Sequence, residues 1–246
     1  MKKIIIALVT LSLIIILAVL GYQKLRGSPK QEEILPTQPP KTYVEVSLAE
    51  RPFISLTPSV DGHWLSLDIT RIQAADSLEY ELTYDTADGL SQGAVGGPFK
   101  LEGDSYEKRI LLGTESSGHY RYHEGVSGGT ITIRLDGTGG TRRFNSDFSL
   151  RQEMDKLVSI DGRFALMADF SKSQFYVIMP TVGLPAELAG EIVTGPYGVF
   201  TSGSAKINNG IMELEGESVY YWDSRSWQRL QGNKVDGVGV FASILR

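Results

Sequence analysis

The chain has 246 residues, with 24 Lys and Arg against 29 Asp and Glu, a formal charge of −5 and no cysteine. The acidic balance excludes a nucleic-acid role, which needs a basic face; Arg142-Arg143 is a small local pair. Without cysteine, disulfides, thiol nucleophiles and lipid attachment through a cysteine are excluded as well.

In chain order, Lys2 and Lys3 precede an apolar run from Ile4 to Leu20 that only Thr10 and Ser12 interrupt. A cleaved signal peptide has an apolar core of about 7–15 residues followed by small residues. This run is longer, and Ala18-Val19-Leu20 places leucine where alanine is preferred. At the helical rise the run spans about 25 Å, and with Gly21 and Tyr22 it approaches the hydrocarbon thickness of about 30 Å. Tyr22 falls where interfacial aromatics sit. The expectation is an uncleaved signal anchor over residues 1–26, crossing the cytoplasmic membrane once at residues 4–22. Lys24, Arg26 and Lys30 nearly balance the amino-terminal charge. The amino terminus is placed inside, and the bulk of the chain outside, because a first hydrophobic segment normally enters that way.

Residues 27–42 carry Pro29, Pro36, Pro39 and Pro40 among polar side chains. Such a composition buries too little apolar surface to fold, and its prolines favour an extended chain. A stalk is expected.

From Tyr43 onward the pattern is all-β. Leu65, Leu67 and Ile69 alternate with Ser66, Asp68 and Thr70; Leu78, Tyr80, Leu82 and Tyr84 alternate with Glu79, Glu81 and Thr83. Ile131, Ile133 and Leu135, and then Phe144, Phe148 and Leu150, repeat the period of two that marks half-buried strands. Asp61-Gly62, Asp88-Gly89, Asp136-Gly137 and Gly139-Gly140 separate the runs. Asp-Gly between alternating runs is a hairpin signal, because glycine takes positive φ without steric cost.

Trp64-Leu-Ser-Leu-Asp-Ile, Leu78-Glu-Tyr-Glu-Leu-Thr-Tyr and the pair Thr130–Leu135 with Phe144–Leu150 resemble the early, central and closing strands of an immunoglobulin-like or fibronectin-III-like domain. The resemblance covers residues 43–151 and implies an antiparallel β-sandwich. This chain departs from the pattern in lacking the inter-sheet cysteines and in carrying Tyr80 where an antibody domain has tryptophan.

Residues 152–246 are expected to form a second, smaller β domain. Phe164, Leu166, Ala168 and Phe170 alternate, and the continuous run Phe175–Met179 suits a strand buried on both faces. Two echoes are present. Val60-Asp-Gly-His-Trp is matched by Ile160-Asp-Gly-Arg-Phe, and Gly198-Val-Phe-Thr-Ser by Gly239-Val-Phe-Ala-Ser. Tandem duplication and chance among glycine-rich strands both produce such echoes.

Chemistry-bearing residues are sparse. His119 and His123 with Glu124 have the spacing of a helical metal pair, but Tyr120, Tyr122, Gly118 and Gly125 favour a strand or loop. On a strand the two rings stand about 13 Å apart, too far for one ion; two exposed loop histidines are expected. His63 beside Trp64 reads as structural. No Gly-x-Ser-x-Gly elbow accompanies Ser202, Ser204, Ser116 or Ser117. Asp136-Gly and Asp161-Gly lack the repeated ligand spacing of a calcium loop. The densest hint is aromatic: Tyr220, Tyr221, Trp222 and Trp227 lie in one hairpin-like stretch. On a strand Tyr220 and Trp222 share a face. They and Trp227 form either a platform for sugar rings and peptide side chains or part of a mini-core.

The sequence therefore predicts a membrane-anchored, extracytoplasmic protein that is not an enzyme and uses no cofactor or metal. Its β domains would bind an envelope protein or glycan, or serve a structural role. The alternative is a carbohydrate-binding module or cell-wall hydrolase that uses Tyr220, Trp222 and Trp227.

Overall fold

A computed structural model describes residues 42–245. The expected anchor, with its span at residues 4–22, and the stalk as far as residue 41 lie outside the described residues. Among the described residues no helix is long and apolar enough to cross a membrane. One 3₁₀ turn, Leu48–Glu50, precedes a succession of strands.

In chain order these are β1 (Phe53–Pro58), β2 (Trp64–Thr70), β3 (Ser77–Asp85), β4 (Ser91–Lys100) and β5 (Tyr106–Leu111). A short hairpin, β6 (Gly113–Ser116) and β7 (His119–Tyr122), is followed by a long one, β8 (Gly128–Asp136) and β9 (Arg142–Arg151). Then come β10 (Lys156–Val158), β11 (Phe164–Asp169), β12 (Tyr176–Pro180), β13 (Ile192–Thr201) and β14 (Lys206–Leu214). The chain closes with β15 (Ser218–Trp222), β16 (Trp227–Arg229), β17 (Lys234–Gly237) and β18 (Val240–Ile244).

The alternating runs between residues 65 and 150 are strands, and their apolar sets face one core. Leu65, Leu67, Ile69, Leu78, Leu82, Ile133 and Leu135 are fully buried, joined by Ile54 and Leu56 of β1 and by Phe144, Phe148 and Leu150 of β9. Burying each such side chain contributes about 1.5–3 kcal/mol. Period two decides the rest, since Glu79, Glu81, Thr132, Arg134, Arg143 and Asn145 take the opposite face.

A nine-stranded antiparallel sheet, β16-β15-β18-β13-β12-β9-β8-β3-β4, runs through the whole described chain. Two smaller sheets, β1-β2-β5 and β10-β11-β14-β17, complete the cores. The Phe175–Met179 run supplies most of β12, and its burial on both faces explains how two cores share one sheet. Val177 and Met179 enter the first core. Tyr176 and Ile178, pointing the other way, enter a second core with Phe164, Leu166, Tyr197 and Phe241. The small sheets therefore pack on opposite faces of the large one. Residue 151, the expected domain limit, is the end of β9, where Leu150 pairs with Val177. The segment from Thr42 onward is one compact unit.

Three of the Asp-Gly turns share one local design. The Ser59 hydroxyl donates to Asp61 Oδ1, as do Thr86 to Asp88 and Ser159 to Asp161. The same oxygen accepts the backbone N–H of His63, Leu90 or Arg163. The glycine N–H returns to the Ser or Thr carbonyl in each. Gly62, Gly89 and Gly162 take φ of 70°, 77° and 71°. Because the turn at Thr86 follows the same rules, the Val60/Ile160 echo is hairpin-turn chemistry. The other echo lies side by side in the large sheet, where β13 and β18 pair with Gly198 opposite Val240.

Candidate ligand-binding surface

The β6–β7 hairpin turns on Ser117 and Gly118, both at positive φ (51° and 79°). That is the backbone a two-residue hairpin loop requires. All four residues of β7 are exposed. Tyr120 and Tyr122, two apart on the strand, project from the same side with 48% and 39% of their surface accessible. Their rings are nearly parallel, with centroids 6.4 Å apart.

Beside them stand His63 and Trp64, delivered by the first Asp-Gly turn. His63 stacks on Tyr122 at 4.0 Å and 6°. Tyr120 sets its ring edge-on to Trp64 at 5.5 Å and 70°. The Arg109 guanidinium lies 4.4 Å from the Trp64 centroid. Backbone hydrogen bonds from Leu112 to the His63 carbonyl and from His123 to the Leu112 carbonyl hold the hairpin against β2. The product is a shelf of two tyrosines, a histidine, a tryptophan and an arginine. It offers ring faces and hydroxyls on rigid strands, a surface suited to stacking and hydrogen bonding.

A cleft of about 580 Å³ opens beside Tyr122, lined by Asp88, Gln92, Arg121, Tyr122, His123 and Glu124. His119 is exposed, whereas His123 is half-buried, and the Tyr84 hydroxyl and His123 Nδ1 share a hydrogen bond of 3.1 Å. The expectation of two exposed loop histidines therefore needs correction at both positions: His119 is exposed but opens strand β7, and His123 lies in the loop after that strand but is half-buried. Burial pushes the Tyr84 hydroxyl above its ordinary pKa. Among the described residues no group of three or more His, Asp or Glu is placed to hold a metal ion.

The platform expected at Tyr220, Trp222 and Trp227 falls on the β15–β16 hairpin. Trp222 lies directly opposite Trp227, and Tyr220 opposite Arg229, so all three aromatics share a face. They are half-buried. The indole rings are 5.6 Å apart at 58°, and Trp227 Nε1 donates to the Ala186 carbonyl at 3.2 Å. Tyr221 takes the other face and enters the second core, its ring 5.1 Å from Phe241. Part of the stretch is thus core, and the rest is less open than Tyr120 and Tyr122. Sequence reasoning missed the shelf because His63 and Trp64 are far in the chain from Tyr120 and Tyr122. The available signal was the two-residue spacing of tyrosines beside a Ser-Gly turn.

Comparison with protein families, characterised proteins and solved structures finds no match to this chain.

Proposed function

We propose that this chain is a membrane-anchored, extracytoplasmic binding protein without catalytic activity, and that the shelf of His63, Trp64, Tyr120 and Tyr122 is its principal contact surface. The carrying observation is the exposure of Tyr120 and Tyr122 on a hairpin whose partner rings are already ordered. Ordering rigid aromatics before contact lowers the entropic cost of binding. The anchor at residues 4–22 and the proline stalk support the address, and the immunoglobulin-like sandwich reading of residues 43–151 belongs to the same proposal.

A glycan is the second reading of the ligand, supported by the parallel tyrosine rings and by the shared face of Tyr220, Trp222 and Trp227. Envelope glycan fragments titrated into the full-length protein, followed by tryptophan fluorescence, separate the readings. A glycan ligand predicts saturable binding that Tyr122→Ala weakens about tenfold, from a stacking loss of about 1–1.5 kcal/mol. Saturation unaffected by Tyr122→Ala, and also by Trp222→Ala and Trp227→Ala in folded protein, ends the glycan reading. Reproducible turnover of an envelope substrate overturns the non-enzymatic proposal.

A further inference from the structure

A second cleft, of about 390 Å³, lies between the segment ahead of β1, strand β9, the β10–β11 turn and strand β13. Arg51, Arg143 and Arg163 line it together with Asn145 and the Tyr197 hydroxyl end. Each guanidinium carries five N–H donors in a planar fork. Arg143 spends none of them in a protein hydrogen bond among the described residues; its guanidinium carbon lies 6.0 Å from the centroid of the Tyr43 ring. Arg51 uses only Nε, toward the Val46 carbonyl at 3.2 Å. Arg163 reaches the Thr194 hydroxyl at a long 3.4 Å. Among the described residues the close ion pairs are those of Arg134 and Lys156, so no carboxylate lies in ion-pair contact with any of these arginines, although Arg163 attracts the Asp161 carboxylate at longer range.

The cleft holds two acids. Glu45 is exposed at its margin. Asp161 is occupied otherwise, its oxygens taking the Ser159 hydroxyl, the Arg163 backbone N–H and the Tyr197 hydroxyl. That leaves a concave site with unspent guanidinium donors on several sides in a chain whose overall charge is negative. Planar, charge-assisted donors of this kind match the oxygens of phosphate and carboxylate, and the volume is that of a small-molecule site.

We infer that this cleft binds a small oxyanion ligand, a phosphate or carboxylate group held between Arg143 and Arg163 with Arg51 and Asn145 at its flank. The site is separate from the aromatic shelf and does not depend on the function proposed for it.

The test is titration calorimetry of the full-length protein with inorganic pyrophosphate and, in a second arm, citrate. Saturable binding of either at low salt is expected, pyrophosphate alone assigning phosphate chemistry and citrate alone carboxylate chemistry. Arg143→Gln and Arg163→Gln should each weaken it about tenfold or more, the loss of one charge-assisted contact. Arg143→Lys, which keeps the charge and loses the fork, should fall between. Lys156→Gln removes a positive charge that does not line the cleft and should leave binding unchanged. Circular dichroism establishes that each variant is folded. No binding of either anion at millimolar concentration, or equal binding by wild type, Arg143→Gln and Arg163→Gln, overturns the inference.

Discussion

The Tyr197 hydroxyl donates to Asp161 Oδ2 at 2.5 Å, tying the β10–β11 turn to the large sheet. Burial favours the neutral form of both groups. For Tyr197, burial is reinforced by the Asp161 carboxylate, and the hydroxyl is driven well above its ordinary pKa. For Asp161, burial is outweighed by donation from Ser159, Tyr197 and Arg163, so its pKa lies below the usual value. Tyr197→Phe keeps the ring in the second core and removes this one bond. The expected loss is about 1 kcal/mol, read as a fall of about 2–4 °C in Tm for a chain of this size.

Acid sensitivity follows from the turns. Asp61 is held low first by the Ser59 hydroxyl, Asp88 by Thr86, and Asp223 by the backbone N–H of Ser226. A carboxylate whose pKa is depressed on folding stabilises the fold above its unfolded value of about 3.9 and loses that contribution as pH falls through the folded value. Asp68, raised by burial and by Glu107, acts in the opposite sense. The lowered groups outnumber it, so Tm should be level at mildly acidic pH and fall below about pH 4. Thermal melts between mild and strong acid check this, with a shallower acid limb expected for Asp161→Asn.

The alkaline limb belongs to the buried tyrosines. Burial, with Asp236 and Asp223 nearby, pushes Tyr221 up to about 12. A group whose pKa is raised on folding contributes fully below its unfolded value, here about 10, and loses that contribution as pH rises toward the folded one. Stability should therefore decline above about pH 10. Tyr221→Phe, which also forgoes the bond to the Val238 carbonyl, should show a flatter decline in melts across that range.

Gly62 and Gly162 form a matched experiment. They occupy the same turn at φ of 70° and 71°, but an added Cβ at Gly62 would lie 2.5 Å from the Phe175 ring while Gly162 faces open space. Gly162→Ala should cost only the left-handed backbone penalty, about 1–2 kcal/mol. Gly62→Ala should cost more, because Phe175 must also move. Denaturant melts of the two variants measure the difference directly.

Arg142 clamps the loop between β2 and β3. It is 3% exposed, and its Nη2 donates to the carbonyls of Gln73 and Ala74. Its Nε has no hydrogen-bond partner among the described residues, and burial lowers its pKa from the ordinary arginine value. Arg142→Met removes a charged donor from two carbonyls and should cost about 1.5–3 kcal/mol. Limited proteolysis should then cut first at residues 72–76.

What the sequence made legible was local. Leu78–Tyr84 declared a strand by alternation, and Asp61-Gly62 and Asp88-Gly89 declared hairpins by turn chemistry, because each signal lies within a few residues. The continuity of the large sheet was not legible, since it depends on Leu150 meeting Val177 across the expected domain limit. The shelf was hidden for the same reason: His63 stacks on Tyr122 only after β2, β5 and the β6–β7 hairpin are in place. The 220–227 stretch was conspicuous because its aromatics are adjacent in sequence, yet adjacency on a strand sent Tyr221 into the core and its neighbours outward.

Contact through the aromatic shelf is read most directly by in-cell photocrosslinking. A photoreactive phenylalanine analogue at position 120 is compared with one at position 160, which is exposed on the β10–β11 turn of a different sheet. A discrete adduct is expected from position 120 and none from 160, with loss of the adduct on His63→Ala or Tyr122→Ala in folded protein. The same adducts from both positions, or an adduct at 120 that survives both substitutions, would contradict contact through the shelf.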